Sequence, residues 1–262
     1  MSRIEKLFNR KSKRILNIYC TAGYPETDST LKLIRALQSE GVDMIELGMP
    51  YSDPLADGPV IQHSSTIALG NGMTIRKLFE QLKEFRAASP AGAGNDIPVL
   101  LMGYMNPVLQ YGFERFCADA AVVGIDGLIL PDLPMYEYKT EYGAIIKRHG
   151  LDFIFLVTPE TSDERIRELD QLSTGFLYAV SSSSTTGSNK NMSSVEDYLE
   201  RLQSLGLKNR VLVGFGIKDR ASFDTACHFA NGAIIGTAFI KALENKGPEE
   251  KIVKQFISGI LS

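Results

Sequence analysis

One carboxylate lies in the middle of a short apolar run at residues 43–48, which reads Asp-Met-Ile-Glu-Leu-Gly. Side chains alternate along a β-strand, so Glu46 faces one side while Ile45 and Leu47 face the other. With the apolar pair packed outward, Glu46 points into the interior, where lost solvation raises a carboxyl pKa toward the range of acid–base catalysis. Glu46 is therefore our first catalytic candidate. The alternative is a structural glutamate held in a salt bridge.

The loop after this run carries two further carboxylates, Asp53 and Asp57, among prolines at positions 50, 54 and 59. Prolines stiffen a loop, so its carboxylates can be held in place without a helix beneath them. Asp57 is accordingly a candidate second acid–base group. Its position before Gly58 is equally typical of an aspartate that only forms a turn.

The last quarter of the chain contains two glycine elements that suit phosphate binding. Gly-Phe-Gly at 214–216 follows one apolar run, and Gly236-Thr237 follows the next. Glycines let backbone N–H groups approach an anion, and the Thr237 hydroxyl adds a donor. A lone Gly-x-Gly is usually a plain turn, but the two elements together predict a phosphate site. The polar Thr185-Thr186-Gly187 of another loop would close the same pocket.

These residues need a scaffold, and short apolar runs alternate with amphipathic stretches along the whole chain. Parallel strands need crossover helices, so eight strand–helix units predict an α/β protein with a single (β/α)8 TIM barrel, one domain over residues 1–262. An open doubly wound sheet, with fewer strands, is the competitor. We predict strands at 15–20, 44–47, 99–102, 127–130, 153–157, 176–180, 211–213 and 233–235, and helices at 28–40, 74–87, 113–123, 136–149, 162–172, 194–205, 220–229 and 237–244.

A short helix is predicted before the barrel, because residues 2–5 form a capping-box pattern and Ile4, Leu7 and Phe8 share one helical face. Its apolar stripe should pack onto the body of the domain. In such a barrel the loops after the strands build the active-site face, and those after strands seven and eight bind phosphate. Glu46, Asp57 and the two glycine elements should therefore meet at one end of the barrel.

Composition excludes several classes of protein. The chain has 262 residues, 44% hydrophobic and 23% charged, which is typical of a globular protein with a core. A formal charge of −3 argues against nucleic-acid binding, and no apolar run approaches the ~20 residues that span a bilayer. Three separated cysteines predict reduced thiols in the cytoplasm, and three scattered histidines argue against a zinc site. The chemistry above needs no metal or redox cofactor.

The run at 45–59, Ile-Glu-Leu-Gly-Met-Pro-Tyr-Ser-Asp-Pro-Leu-Ala-Asp-Gly-Pro, closely resembles the signature of the tryptophan synthase alpha chain family. The resemblance covers essentially the whole chain. It implies a retro-aldol cleavage of indole-3-glycerol phosphate to indole and glyceraldehyde 3-phosphate in L-tryptophan biosynthesis. By this resemblance Glu46 is the main acid–base group, which protonates indole C3 and relays the proton of the glycerol hydroxyl. Asp57 would hold the indole N–H.

The resemblance also implies a partner and further contacts. The family's alpha chain works with a beta chain, as an alpha2beta2 complex, in which pyridoxal phosphate on the beta chain condenses the channelled indole with serine. This chain itself is expected to need no cofactor, and Asp53 matches a loop residue that faces the partner. In the closed site Thr186 should hydrogen-bond to Asp57. Substrate contacts are implied for Tyr19, Met102, Tyr104, Ile129, Tyr178, Thr186 and Phe215, and phosphate contacts for Gly187, Gly216, Gly236 and Thr237.

The loop after the sixth strand departs from the family pattern. Residues 181–187 read Ser-Ser-Ser-Ser-Thr-Thr-Gly, whereas the family often has Ser-Arg-x-Gly-Val-Thr-Gly. Thr186 and Gly187 remain, but the Arg, the first Gly and the Val are absent. We therefore expect a lid that is more mobile without ligand than that of other members.

Two rival functions are weighed against this one. The first is another phosphate-binding barrel, such as an isomerase or the indole-glycerol-phosphate-forming lyase of the same pathway. That lyase needs an inward-pointing catalytic lysine, and the strand runs carry none. The second is a subunit that only activates a beta chain, and the presence of both Glu46 and Asp57 argues against it.

Overall fold

Nine parallel strands lie at the centre of the part of the protein that the structure describes. The computed structural model describes residues 1–86, 96–180, 192–214 and 216–262, with the side chains of residues 192–194 excepted. The strands in these ranges are β1 (Ile15–Thr21), β2 (Met44–Gly48), β3 (Val99–Met102), β4 (Gly127–Ile129), β5 (Asp152–Phe153), β6 (Leu156–Val157), β7 (Phe176–Val180), β8 (Arg210–Gly214) and β9 (Gly232–Ile235). Their order in the sheet is β5-β4-β3-β2-β1-β9-β8-β7-β6.

The two ends of this sheet meet within one stretch of chain. β5 pairs with β4, β6 pairs with β7, and only Ile154 and Phe155 separate β5 from β6. The Ile154 N–H donates to the Leu128 carbonyl at 3.0 Å, and the Tyr178 N–H donates to the Phe155 carbonyl at 3.0 Å. The chain thus passes from one neighbour to the other without leaving the ring. The (β/α)8 TIM barrel is confirmed, with the strand predicted at 153–157 divided in two.

Helices surround the strands, and no helix of the described ranges is long and apolar enough to cross a membrane. The stretch predicted as one helix at 136–149 contains a π-helical turn, Tyr138–Tyr142, between two shorter helices. The helices are α1 (Arg3–Arg10), α2 (Ser29–Ser39), α3 (Pro59–Gly70), α4 (Ile75–Leu82), α5 (Met105–Tyr111), α6 (Phe113–Val122), α7 (Met135–Glu137), α8 (Gly143–Arg148), α9 (Asp163–Leu172), α10 (Met192–Ser204), α11 (Arg220–Phe229), α12 (Thr237–Leu243) and α13 (Glu249–Leu261).

Three of these helices, α3, α5 and α13, lie where the sequence did not lead us to predict one. α3 begins at Pro59, the position at which a missing N–H costs a helix nothing. α13 carries Glu249 and Glu250 in its first turn, where negative charge is favourable. Its buried face is made of Val253, Ile257 and Ile260, which recur at helical spacing. The loop after β2 is therefore shorter than expected, and an additional helix follows the barrel.

Alternation of side chains divides the apolar core into two parts. Outward residues of the strands, such as Ile45, Leu47 and Leu101, pack against the surrounding helices. The inner cluster fills the barrel with residues of opposite parity: Ile15, Met44, Leu100, Ile129, Ile154, Phe176, Tyr178, Val180, Leu212 and Ile234.

The predicted N-terminal helix closes the amino-terminal end of the barrel. The capping box is present, with Ser2 and Glu5 bonded to each other's backbone N–H groups. Ile4, Leu7 and Phe8 belong to the inner cluster, and the Phe8 ring lies 6.5 Å from the ring of Phe176, the first residue of β7. α1 thus packs on the body of the domain, as predicted, and excludes water from the lower end of the barrel.

A buried carboxylate, Asp126, ties α1 to the start of the strands. Its oxygens accept hydrogen bonds from Nη1 of Arg3 at 2.9 Å, Nη2 of Arg86 at 2.8 Å and the Val99 N–H at 2.8 Å.

Asp126→Asn removes the negative charge and leaves two guanidinium groups partly uncompensated. We expect this variant to lose about 3 kcal/mol of unfolding free energy in urea titrations.

The matched control for this prediction is Asp28→Asn. Asp28 pairs with Lys32 at 2.7 Å on an exposed helix surface, and such pairs contribute little. This variant should unfold as the parent does. Equal losses in the two variants would show that Asp126 has no special role.

Candidate active site

Glu46 lies in β2 and faces the barrel interior, as the alternation predicts. Its backbone is in register with Tyr19 on one side and Leu100 on the other, and its side chain is fully buried. Its Oε1 accepts a hydrogen bond from Nδ2 of Asn17 at 2.5 Å, whereas Oε2 has no partner among the described residues. One carboxyl oxygen is therefore fixed, and the other is available to a bound molecule.

Burial governs the charge state of Glu46. Lost solvation raises its pKa to about 8, and the hydrogen bond from Asn17 opposes that rise. No charged partner within the described ranges acts on this carboxyl, so the structure does not support the alternative of a salt-bridged glutamate. A carboxyl with such a pKa can exchange its proton near neutral pH, as acid–base catalysis requires.

Asp57 lies in the loop between β2 and α3 and is held by Tyr104. The Asp57 N–H closes a turn onto the Pro54 carbonyl at 3.2 Å, and the Ala56 N–H donates to the Tyr104 hydroxyl at 3.0 Å. That hydroxyl in turn hydrogen-bonds to the Asp57 carboxylate. Burial raises the pKa of Asp57 to about 6, and the bond to Tyr104 opposes the rise. Asp57 thus forms a turn, as one of the two alternatives predicted, and the same turn holds its partly buried carboxyl group in place.

Three phenols surround the two carboxylates. Burial is the main cause that raises the pKa of Tyr19, and the charge of Asp57 raises it further. For Tyr178 the causes after burial are the charges of Glu46 and then Asp57. The pKa of Tyr104 is raised by burial and by Asp57. The charge of Asp57 therefore acts on all three phenols. Glu46 acts on Tyr178 and lies in strand register with Tyr19, so the five predicted residues lie in one part of the barrel.

Two glycines make room for two of these phenols. Gly48 ends β2 beside β1, and a Cβ at this position would overlap the Tyr19 hydroxyl. Gly214 ends β8 beside β7, and a Cβ there would overlap the Tyr178 hydroxyl. The rings thus lean across the neighbouring strands into space that any other residue would fill.

The remaining predicted substrate contacts that the structure describes are apolar. Ile129 in β4 is buried within the inner cluster, and Met102 at the end of β3 packs against both parts of the core. Both lie on the inward faces of strands close to β2 in the sheet. They would give the cavity apolar walls on the β3–β4 side.

Asn17 is the residue of this site that sequence reasoning missed. Its signal was present: an amide stands within the apolar run 15–20, two residues from Tyr19 and therefore on the same inward face. Only the pairing of β1 with β2 shows that this face meets Glu46.

Three of the predicted phosphate residues lie at the ends of the last two strands. Gly216 is exposed and has a φ of +78°, which glycine adopts readily. Gly236 precedes α12, which begins at Thr237, and a Cβ on Gly236 would lie 3.4 Å from Cβ of Tyr19. The glycine element after β9 therefore borders the site that contains the two acids.

Other predicted positions cannot be placed in this geometry. Phe215, Thr186 and Gly187 lie outside the described residues, and so does the rest of the expected lid at 181–191. The contact between Thr186 and Asp57 stays a prediction. Among the residues that are described, no group of three or more His, Cys, Asp or Glu side chains is arranged to hold a metal ion.

The rim of this face is exposed and partly apolar. Asp53 lies at the surface of the loop after β2, and two residues later the Leu55 side chain is 92% exposed. Leu109 of α5 and Tyr136 of α7 are also large apolar residues open to solvent. These three apolar side chains belong to the segments that follow β2, β3 and β4.

Comparison with known proteins assigns the chain to a family. The family model described as tryptophan synthase alpha chain matches residues 6–259. The chain belongs to this family. A tryptophan synthase alpha chain from Flavobacterium johnsoniae is 50% identical to it over 252 residues, 96% of each chain.

Solved structures agree with this assignment. The crystal structure of tryptophan synthase subunit alpha from Legionella pneumophila has a TM-score of 0.88 at 33% identity, and the match covers 99% of this chain and 97% of that one. A tryptophan synthase complex from Pyrococcus furiosus gives a TM-score of 0.83 at 36% identity, over 94% and 97%.

Membership of the tryptophan synthase alpha chain family establishes the reaction. The chain is a lyase of tryptophan biosynthesis that cleaves indole-3-glycerol phosphate to indole and glyceraldehyde 3-phosphate. The isomerase, the other lyase of the pathway and the inactive activator are thereby excluded.

The raised pKa of Glu46 predicts a pH-dependent loss of stability. An ordinary Glu titrates near 4.5, whereas folded Glu46 titrates at about 8. Between these values the folded chain holds a proton that the unfolded chain has lost, so the free energy of unfolding falls as pH rises. Glu46→Gln has no such titration. As pH rises from about 5 to about 8, this variant should therefore become progressively more stable than the parent. The pKa difference of Glu46 corresponds to a gain in unfolding free energy of a few kcal/mol.

Urea unfolding at several pH values measures this gain. Glu80→Gln, the same change on the exposed surface of α4, is the control and should keep the pH dependence of the parent. A constant difference between Glu46→Gln and the parent across this pH range would contradict the buried, protonated state of Glu46.

Proposed function

We propose that Glu46 is the main acid–base group of the cleavage. The observation that carries this assignment is its fully buried carboxyl, with one oxygen unpartnered among the described residues and a pKa of about 8. A carboxyl in this state can give a proton to a ligand in the cavity and then accept one from it. The cleavage of indole-3-glycerol phosphate requires both transfers.

The carbon–carbon bond can break only when its electron pair has somewhere to go. Glu46 donates a proton to indole C3, and the positive charge that develops on the ring makes it an electron sink. The ionised Glu46 then takes the proton of the adjacent glycerol hydroxyl. As that oxygen becomes the aldehyde carbonyl, the bond to C3 breaks and its electron pair returns to the ring. Glu46 ends protonated, as it began.

Asp57 is proposed to accept a hydrogen bond from the indole N–H. Its negative charge would stabilise the positive charge that develops on the ring nitrogen after protonation of C3. The hydrogen bond from Tyr104 and the turn onto Pro54 support this role, because they hold the carboxylate in one place before substrate binds. The walls against the indole ring would come from Tyr19, Tyr104, Met102, Ile129, Tyr178 and Phe215.

The phosphate of the substrate is assigned to the ends of β8 and β9. Gly216 and Gly236 would bring backbone N–H groups to the anion, and the exposed Thr237 would add its hydroxyl. The first N–H groups of a helix have no partner within it, so the start of α12 is free to bind such an anion. Gly187 would complete the pocket. The closeness of Gly236 to Tyr19 supports a phosphate one glycerol chain away from the indole.

A beta chain is the proposed partner, in an alpha2beta2 assembly that carries pyridoxal phosphate on the beta chain and no cofactor on this one. The exposed Leu55, Leu109 and Tyr136, together with Asp53, would contribute to the contact. The similarity to the Pyrococcus furiosus complex supports this proposal.

We also propose that residues 1–262 form one domain and that the protein works in the cytoplasm, where its three buried free thiols would stay reduced.

Two substitutions test the acid–base roles. Glu46→Gln keeps the shape but cannot transfer a proton, so turnover should fall by at least ~10² while substrate binding is largely kept. Asp57→Asn should also lower turnover strongly, because a neutral amide stabilises the ring cation less well. Indole release from indole-3-glycerol phosphate measures both, with Glu80→Gln as the control. Turnover within a few fold of the parent in Glu46→Gln would show that the acid–base group lies elsewhere.

A third substitution tests the phosphate pocket. Gly236→Asp places a negative charge beside the proposed anion, so KM for indole-3-glycerol phosphate should rise by about tenfold or more. Gly236→Asn has nearly the same size without the charge and is the matched control. An indole analogue without phosphate should bind both variants alike. If the Asp and Asn variants raise KM equally, bulk rather than charge is responsible and the assignment is wrong.

A further inference from the structure

Asn17 is a fully buried amide in an apolar environment. It lies in β1, in register with Met44 of β2 and Ile234 of β9, and both neighbours belong to the inner apolar cluster. Its Nδ2 donates to Oε1 of Glu46 at 2.5 Å. Its Oδ1, also buried, has no partner among the described residues.

This arrangement is unfavourable for folding alone. A buried polar atom without a hydrogen bond is destabilising, and an aliphatic side chain at position 17 would suit the neighbouring Met44 and Ile234 better. The unsatisfied acceptor lies on the same amide that holds Glu46. The amide therefore serves the carboxyl group more than it serves the core.

We propose that Asn17 is a positioning residue for Glu46. Its amide holds one carboxyl oxygen of Glu46 in both protonation states of the reaction and leaves the other oxygen to the substrate. This inference rests on the proposed acid–base role of Glu46.

The chemistry of an amide explains why Asn suits both states. When Glu46 is ionised, the amide NH2 donates to Oε1, as the structure shows. When Glu46 is protonated on Oε2, Oε1 is a carbonyl oxygen and still accepts from the same NH2, so the proton stays on the oxygen that the substrate can reach. Glu46 can thus lose and regain its proton without losing its orientation.

Other titratable groups near Glu46 do not replace this contact. Burial is the main cause that raises the pKa of the Tyr178 phenol and of the Cys20 thiol, and the charge of Glu46 raises both further. Both groups therefore sense the charge of Glu46. Asp57 also acts on Tyr178 from its own loop. Within the described ranges, Asn17 is the group whose hydrogen bond favours the ionised form of Glu46.

A titration of Glu46 in the free chain tests the contact directly. Asn17→Leu keeps the number and branching of the side-chain heavy atoms and suits the apolar surroundings, but it cannot donate. Loss of the donor disfavours the carboxylate, so the pKa of Glu46 should rise by about one unit. Carbon-13 NMR of labelled glutamate measures it, with the Glu46 signal assigned by its loss in Glu46→Gln. Ser173→Ala, which removes a buried hydroxyl bonded to the Phe176 carbonyl at 2.6 Å, is the control and should leave the titration unchanged.

Kinetics test whether the contact matters to the reaction. In Asn17→Leu we expect kcat to fall about tenfold with KM within a few fold, and the limb of the pH–rate profile that belongs to Glu46 to move to higher pH. An unchanged Glu46 titration, or a shifted titration with unchanged kcat, would overturn the positioning role. Failure of the acid–base proposal itself is distinct, because it would appear as retained turnover in Glu46→Gln.

Asn17→Asp provides a second variant of the same size. Two carboxyls at this distance share one proton, so Glu46 should titrate in two separated steps instead of one. This result does not depend on Asn17→Leu being well folded. A single step at the parent's pKa would show that position 17 does not contact Glu46 in solution, and the proposal would fall.

Discussion

The proposed chemistry of this protein depends on a carboxyl group enclosed in an apolar barrel. Water would return the pKa of Glu46 to its ordinary range, so the features that exclude water also create the acid–base group that we propose. The apolar inner cluster surrounds it, and α1 closes the end of the barrel beneath it. A helix that stands outside the barrel repeat in the sequence is thus part of what makes Glu46 an acid near neutral pH. The same burial lowers stability above the ordinary pKa of a Glu, a cost that a role in catalysis would explain.

Glycines at the carboxyl ends of the strands make room for large side chains inside the barrel. Large side chains at every inward-facing position near the carboxyl ends of the strands would leave no room for a ligand. Gly48 and Gly214 give their volume to the phenols of Tyr19 and Tyr178, which approach from neighbouring strands. The glycines of this face therefore have different tasks: two admit aromatic rings, whereas Gly216 and Gly236 leave backbone open at the rim. Conformational freedom explains only Gly216, because it alone among the four has a positive φ.

The sequence predicts this architecture well where periodicity carries the signal. Alternation in residues 43–48 correctly turned Glu46 inward, and the capping box correctly began α1. Two features escaped because their causes are not local. The fifth strand is divided by a change of pairing partner, and Asn17 matters only through a neighbour 29 positions away. Contacts made across the barrel have no signature within either strand.

The pairing of β1 with β9 has a consequence for how the chain is made. Ile15 lies opposite Gly232, so the first strand finds one of its two neighbours only after the whole stretch between these residues has been synthesised. Until then β1 presents an open edge, and such edges pair readily with other chains. Synthesis proceeds at ~5–20 residues per second, so this interval lasts on the order of ten seconds or more. A messenger cut short before β9 would yield a product with unpaired edges at β1 and β8, which chaperones or proteases must remove.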